Sequence, residues 1–323
     1  KKGVSVGIGI FIAFIGLQNA KLVIGNKSTL VSITNFTKDF HTAGICSLLA
    51  VIGLLITVIL YIKKVPGSIL IGILATWVIG MLCQITGIYV PDFKTGYYSL
   101  FPTFAMTDFS KLGETFGKCF QYDLGKVGIF NFIAVVLSFL FVDLFDTLGT
   151  LVGVSTKAGM LDEEGKLPGI KPALMADAVA TTAGAVLGTS TVTTFVESSS
   201  GVAAGGRTGL TAVVSGFLFL ISTLFAPLFT AIPSFATAPA LIMVGFLMLT
   251  SITKIDFSDY TEAIPCFIAI IAMPFMYSIS EGISMGVISY VVINLITGKA
   301  KEKKISVLMY VLAILFVLKY IFI

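Results

Sequence analysis

The chain has 323 residues, 56% of them hydrophobic and only 12% charged, with a net charge of +4 and a mean hydropathy of +1.02. Soluble domains carry about 25% charged residues, so this composition excludes one and points to an integral membrane protein. The positive balance rests mostly on lysines between apolar segments, which suits membrane orientation better than a nucleic-acid partner, and none is expected.

Apolar segments recur at 4–24, 41–62, 67–90, 128–154, 172–188, 208–231, 236–252, 262–278 and 280–297. Spans of about 17 to 25 residues predict an all-α polytopic bundle rather than a barrel, whose strands run to about ten residues of alternating polarity. The 32 glycines fit close helix packing. Between the fifth and sixth segments, residues 188–206 are too polar for an ordinary span and too uncharged for an exposed loop. The β-branched, hydroxyl-rich run at 189–194 favours extended chain, and the small residues that follow favour a short helix. A broken membrane element, a short strand feeding a half-helix, is predicted there.

Counting that element as one crossing gives ten. With Lys1 and Lys2 inside, Lys63, Lys64, Lys157, Lys166, Lys171, Arg207, Lys254 and the cluster at 299–304 also fall inside, as the positive-inside rule requires. Lys21, Lys27, Lys38 and a long loop at 91–126 fall outside. The last apolar segment, 305–323, fits either a span or an interfacial helix, with Lys319 able to snorkel. The chain begins Lys1-Lys2-Gly3, without methionine and directly before a span, as a fragment would.

Cys46, Cys83, Cys119 and Cys266 show no CxxC spacing, and the single His41 lies in a loop region. Neither a disulfide, a metal site nor a cofactor is expected. The informative residues are carboxylates at membrane depth, which are expensive there and mark substrate, ion or proton paths. Asp143 and Asp146 lie inside the apolar run 132–154 and, three residues apart, share a helix face. Two like charges so close resist being ionised together, which suits a proton-carrying unit. Glu197 follows the threonine-rich stretch and would sit in the first turn of the half-helix, where backbone N–H groups are free. Asp143 could equally serve a backbone or hydroxyl group, and the Ser and Thr residues could simply bond carbonyls in tight packing. Asp177 reads as a cap or dipole partner near the start of its helix. Glu281, in a short turn, reads as solvated.

Specific motifs then stand out: FDTLGT at 145–150, KAGML at 157–161, MADAVAT at 175–181 and TTFVESSSGVAAGGRTGL at 193–210, with FIAFIGLQNA at 11–20 and APALIMVG at 238–245. Over essentially its whole length the chain resembles the purine permeases of the azaguanine-resistance type, within the nucleobase and ascorbate transporter (nucleobase:cation symporter) superfamily. The resemblance implies fourteen segments in two inverted repeats of seven, with core and gate domains. On that scheme residues 1–127 hold gate segments five to seven and the long outer loop, and 128–231 hold core segments eight to eleven with the substrate site. Residues 232–297 hold gate segments twelve to fourteen, and 298–323 a basic connection and the C-terminal apolar segment. The first four segments, with the other half-helix and its Asn motif, have no counterpart, so part of the expected site is missing.

The resemblance implies no enzyme and no catalytic residue. It implies import of purine nucleobases, hypoxanthine and guanine first and adenine as a further candidate, by proton symport across the cell membrane. Asp146 and Glu197 would hold the base, since ionised carboxylates only accept and purine ring N–H groups donate. Ser198, Ser199 and Ser200 would serve the ring acceptors, Phe145 or Phe195 would stack, and Asp146, Glu197 and Asp143 would carry the coupling proton. Besides the base, H⁺ and the lipid bilayer, a homodimer is compatible with such a chain. Two alternatives remain open at this point. One is a transporter of the same fold for an anion or for another nucleobase such as uracil or xanthine. The other is an intramembrane aspartyl protease, for which Asp143 and Asp146 on one helix are poorly placed, since such enzymes need two opposed aspartates sharing a proton.

Overall fold

The apolar segments fold as helices because only helices satisfy every backbone N–H and C=O within one segment in hydrocarbon. A computed structural model describes residues 2–37, 39–110, 112–121, 129–163, 166–195 and 197–322, with the backbone alone described at 2, 112, 129–131, 133–135, 137–138, 141–142, 145–146, 251, 254 and 321–322. In chain order the elements are α1 (Lys2–Asn19), β1 (Val23–Asn26), β2 (Leu30–Ile33), α2 (Ile45–Ile62), α3 (Ser68–Ile85), α4 (Leu112–Thr115), α5 (Ile129–Ala158), α6 (Ile170–Leu187), α7 (Ser198–Ala203), α8 (Gly209–Leu224), α9 (Ala226–Thr230), α10 (Ser234–Leu249), α11 (Tyr260–Phe275), α12 (Ile279–Ile296) and α13 (Val307–Phe322). Among the described residues, the helices at Phe40–Ile62, Ser68–Ile85, Ile170–Leu187 and Ile279–Ile296 are long and apolar enough to cross a bilayer, and several shorter apolar helices accompany them.

The chain divides into two compact units. The first comprises 1–11, 109–198 and 248–323, and the second 12–108 and 199–247.

In the second unit, α2 and α3 meet through a reciprocal pair of small-residue motifs. Gly53 and Thr57 lie four apart on α2, and Gly72 and Thr76 four apart on α3. A Cβ on Gly53 would collide with the Thr76 hydroxyl, and one on Gly72 with that of Thr57. Each threonine is fully buried and satisfies its hydroxyl on its own helix, Thr57 Oγ1 donating to Gly53 O at 2.8 Å and Thr76 Oγ1 to Gly72 O at 2.7 Å. This is small-xxx-small packing, in which missing side chains let backbones approach. An apolar core built on Ile45, Leu49, Trp77, Tyr89, Leu100 and Phe235 continues the unit. Trp77 Nε1 donates to Leu100 O at 2.8 Å, and Leu100 N donates to Gln84 Oε1 at 2.8 Å, so the start of the long loop is pinned to α3.

The same unit departs from expectation in two places. Residues 23–33, expected as the end of the first apolar segment (to 24) and the connection after it, form an antiparallel hairpin pairing Val23 with Ile33 and Asn26 with Leu30. The Asn26 side chain organises its turn, accepting from Ser28 N at 2.8 Å. The predicted span 208–231 is also broken: α8 stops at Leu224, Phe225 takes non-helical φ −117° and ψ 33°, and α9 starts with proline in its first turn. Pro227 has no N–H to give and is best tolerated at a helix start.

In the first unit, α11 and α12 form a helical hairpin. Buried Asn294 on α12 donates through Nδ2 to Thr261 O at 3.3 Å and to Tyr290 O at 2.8 Å. Asp259 caps α11, accepting from Thr261 N at 3.0 Å. Lys303 reaches back to the same Asp259 and, at 2.8 Å, to Glu262. The hydrogen bond from Lys303, then those from Thr261, holds the Asp259 carboxyl down to about 2.

Glu281 corrects the solvated reading. Rather than facing water, it accepts from Lys319 and from the Tyr320 hydroxyl on α13. Lys319, expected to snorkel, is therefore paired.

Candidate functional site

The acidic helix α5 belongs to the first unit, with Phe139, Asp143 and Thr147 at four-residue intervals on one face. The adjoining α6 ends at Gly188, whose φ of +77° is a left-handed cap that suits glycine. Residues 189–195 follow without helix and without a ladder partner among the described residues. This corrects the predicted short strand: residue type favours a strand there, but a strand exists only when another chain segment pairs with it.

Side chains fix this segment instead. Thr191 Oγ1 donates to Asp143 Oδ1 at 2.7 Å, Thr181 Oγ1 donates to Val192 O at 2.8 Å, and the Thr181 and Thr191 hydroxyls are 3.4 Å apart. The segment is thereby tied to α5 and α6. Gly184 lets it approach closely, since a Cβ there would meet Thr189 Oγ1 at 2.8 Å. One helical turn along α5, Thr147 Oγ1 donates to Asp177 Oδ2 at 3.1 Å. Asp177 sits well inside α6, whose N-cap is Gly169. It is thus a cross-helix acceptor rather than the cap or dipole partner expected from the sequence.

These residues border a cavity of about 420 Å³ lined by Phe139, Leu140, Asp143, Thr181, Ala185, Thr189, Thr191 and Thr193. Small-molecule sites are typically about 300–1,000 Å³, mostly apolar with a few placed polar groups. A carboxylate and four threonine hydroxyls on an otherwise apolar wall match that description.

Asp146 and Phe145 lie on α5 by their backbone, but their side chains fall outside the described residues. Phe195 is exposed, and Glu197 and Ser198 are exposed at the turn into α7. Ser199 belongs to the second unit. It is fully buried, and its hydroxyl has no hydrogen-bond partner among the described residues. An orphaned buried hydroxyl costs about 1–3 kcal/mol. Ser200 carries an interaction of its own.

Sequence reasoning allows Asp143 a hydroxyl partner but does not identify Thr191 as that partner, nor does it pair Thr147 or Thr181, and it gives Asp177 a different role. The available signal is the pairing of hydroxyl residues with carboxylates at membrane depth, where an unpaired polar group is unstable.

Comparison with known proteins agrees across the whole chain. The model of the Permease family (Xan_ur_permease) matches residues 1–285. The guanine/hypoxanthine permease PbuG of Bacillus subtilis is 42% identical over 322 residues, covering 100% of this chain and 68% of the relative. The guanine/hypoxanthine permease PbuO of the same organism is 43% identical over 320 residues, 98% of this chain and 68% of the relative. The adenine permease AdeQ of Escherichia coli is 39% identical over 320 residues, 99% of this chain and 66% of the relative.

Proposed function

We propose, from the premise that this chain belongs to the Permease family and is a multi-pass protein of the cell membrane, that it imports purine nucleobases by proton symport. The observation that carries the substrate class is the 42% identity to a guanine/hypoxanthine permease along the full chain. Adenine remains a candidate beside hypoxanthine and guanine, because an adenine permease matches at 39%. Transport rather than catalysis follows from the family.

In this reading Asp146 and Glu197 accept from the ring N–H groups of the base, and Ser198 and Ser199 serve its acceptors. Phe145 or Phe195 stacks on the base. Asp143 acts differently, because it already holds Thr191 and so positions the segment that leads to Glu197. Asp146 or Glu197 accepts the coupling proton, and its neutralisation shifts the balance between inward- and outward-facing states. The fold in this reading is two inverted repeats with core and gate domains, and the protein can assemble as a homodimer.

The test is uptake of labelled hypoxanthine by cells expressing the full-length protein in a strain without purine uptake, competed by a panel of bases. Guanine or adenine should compete and uracil should not. Competition by uracil alone would transfer the chain to the pyrimidine alternative.

A further inference from the structure

One charged cluster plays no part in transport as proposed. On α13, Met309, Ala313, Phe316 and Tyr320 follow one another at intervals of four, three and four and so form a single stripe. Ala313 is 6% exposed and Phe316 2%, whereas Leu308, Val311, Ile314, Val317 and Leu318 around the rest of the helix are exposed. A helix with one packed stripe and an apolar remainder belongs against protein on one side and lipid on the other.

Its direction follows from the contacts. Glu281 is in the first turn of α12 and Lys319 in the last turn of α13. At about 1.5 Å per residue, each lies roughly 20 Å from the connection 297–306. Since they meet, α13 returns antiparallel along almost the whole of α12, itself long and apolar enough to span. A helix lying flat in the interface would diverge from α12 over that distance.

Lone charges at membrane depth are disfavoured, and pairing is the form in which they persist. Here both carboxylate oxygens of Glu281 are used, Oε1 by Lys319 and Oε2 by Tyr320. Lys319 is 13% exposed and Glu281 24%. Because the two donors are consecutive residues, they fix the rotation of α13 as well as its depth.

We propose that Glu281, Lys319 and Tyr320 form a clamp that holds α13 as a membrane-crossing helix, so that its end emerges on the face of the α11–α12 turn, opposite the basic connection 297–306. The test uses the full-length protein with Cys46, Cys83, Cys119 and Cys266 replaced and one reporter at a time: Tyr277→Cys, Lys301→Cys or Phe322→Cys. With a membrane-impermeant maleimide on oriented vesicles, positions 277 and 322 should label from one face and position 301 from the other. Labelling of 322 and 301 from the same face would overturn the crossing. For the clamp, Glu281→Lys and Lys319→Glu should each lower Tm in detergent by about 3 °C or more, and the double swap should recover most of the loss. If a reversal does not fold, Glu281→Gln should show the same loss, and an unchanged Tm would overturn the clamp.

Discussion

Thr191 donates its hydroxyl to Asp143 at 2.7 Å and so joins the chain leading into α7 to α5, 48 positions away in sequence. A hydrogen bond to a charged group contributes about 1.5 to 3 kcal/mol. Thr191→Val keeps the side-chain shape and removes the donor, and Asp143→Asn removes the charge. If the two residues act through each other, their effects on hypoxanthine uptake overlap. The double variant should then lose about as much as the worse single one, whereas independent roles would make the losses multiply.

The two acidic positions assigned to the base should behave differently from Asp143. Glu197→Gln loses a charged acceptor, worth about 1.5 to 3 kcal/mol, and should weaken purine binding by about tenfold or more. Asp146→Asn should abolish uptake, and Asp143→Asn should reduce it less. Equal loss of binding for both aspartates at equal expression would contradict the division of roles.

Packing in the second unit gives a prediction independent of substrate. Gly53→Ala drives a methyl into Thr76, and over-packing of this kind costs about 1 to 3 kcal/mol. Thermal unfolding in detergent should show a lower Tm for Gly53→Ala and recovery when Thr76→Ala is added. A neutral Gly53→Ala would mean that α2 and α3 are farther apart than described.

Coupling should show as uptake rising when external pH falls from about 8 to 6, because a larger inward proton gradient drives symport through intramembrane carboxylates. Asp259 cannot be the source. Its folded-state pKa is depressed to about 2, so the stability it adds is complete above about pH 4 and is lost only as pH falls toward 2. A protonophore should inhibit uptake, and sodium removal should not. Uptake that needs sodium and ignores the protonophore would replace the proton by sodium and leave the purine reading intact.

The helices were legible because hydrocarbon imposes one solution on long apolar segments; the segment read at 67–90 is α3 at Ser68–Ile85, and that at 280–297 is α12 at Ile279–Ile296. The family was legible from FDTLGT and TTFVESSSGVAAGGRTGL, whose residue order is far more specific than any periodicity. What sequence reading missed was pairing at a distance. Thr147 meets Asp177 across 30 positions, and Glu281 meets Lys319 across 38. Local reasoning assigns a carboxylate to the nearest cap or to solvent, since tertiary partners leave no trace in spacing. The break at Phe225 was a different kind of miss, because Pro227 was in plain view inside the span read at 208–231.

Equilibrium binding of labelled hypoxanthine to the purified full-length protein tests the central claim most directly. Saturable binding displaced by unlabelled guanine or adenine, indifferent to uracil and weakened at least about tenfold by Glu197→Gln, is the predicted result. Binding displaced by uracil as readily as by purines, or unchanged in folded Glu197→Gln, would contradict it.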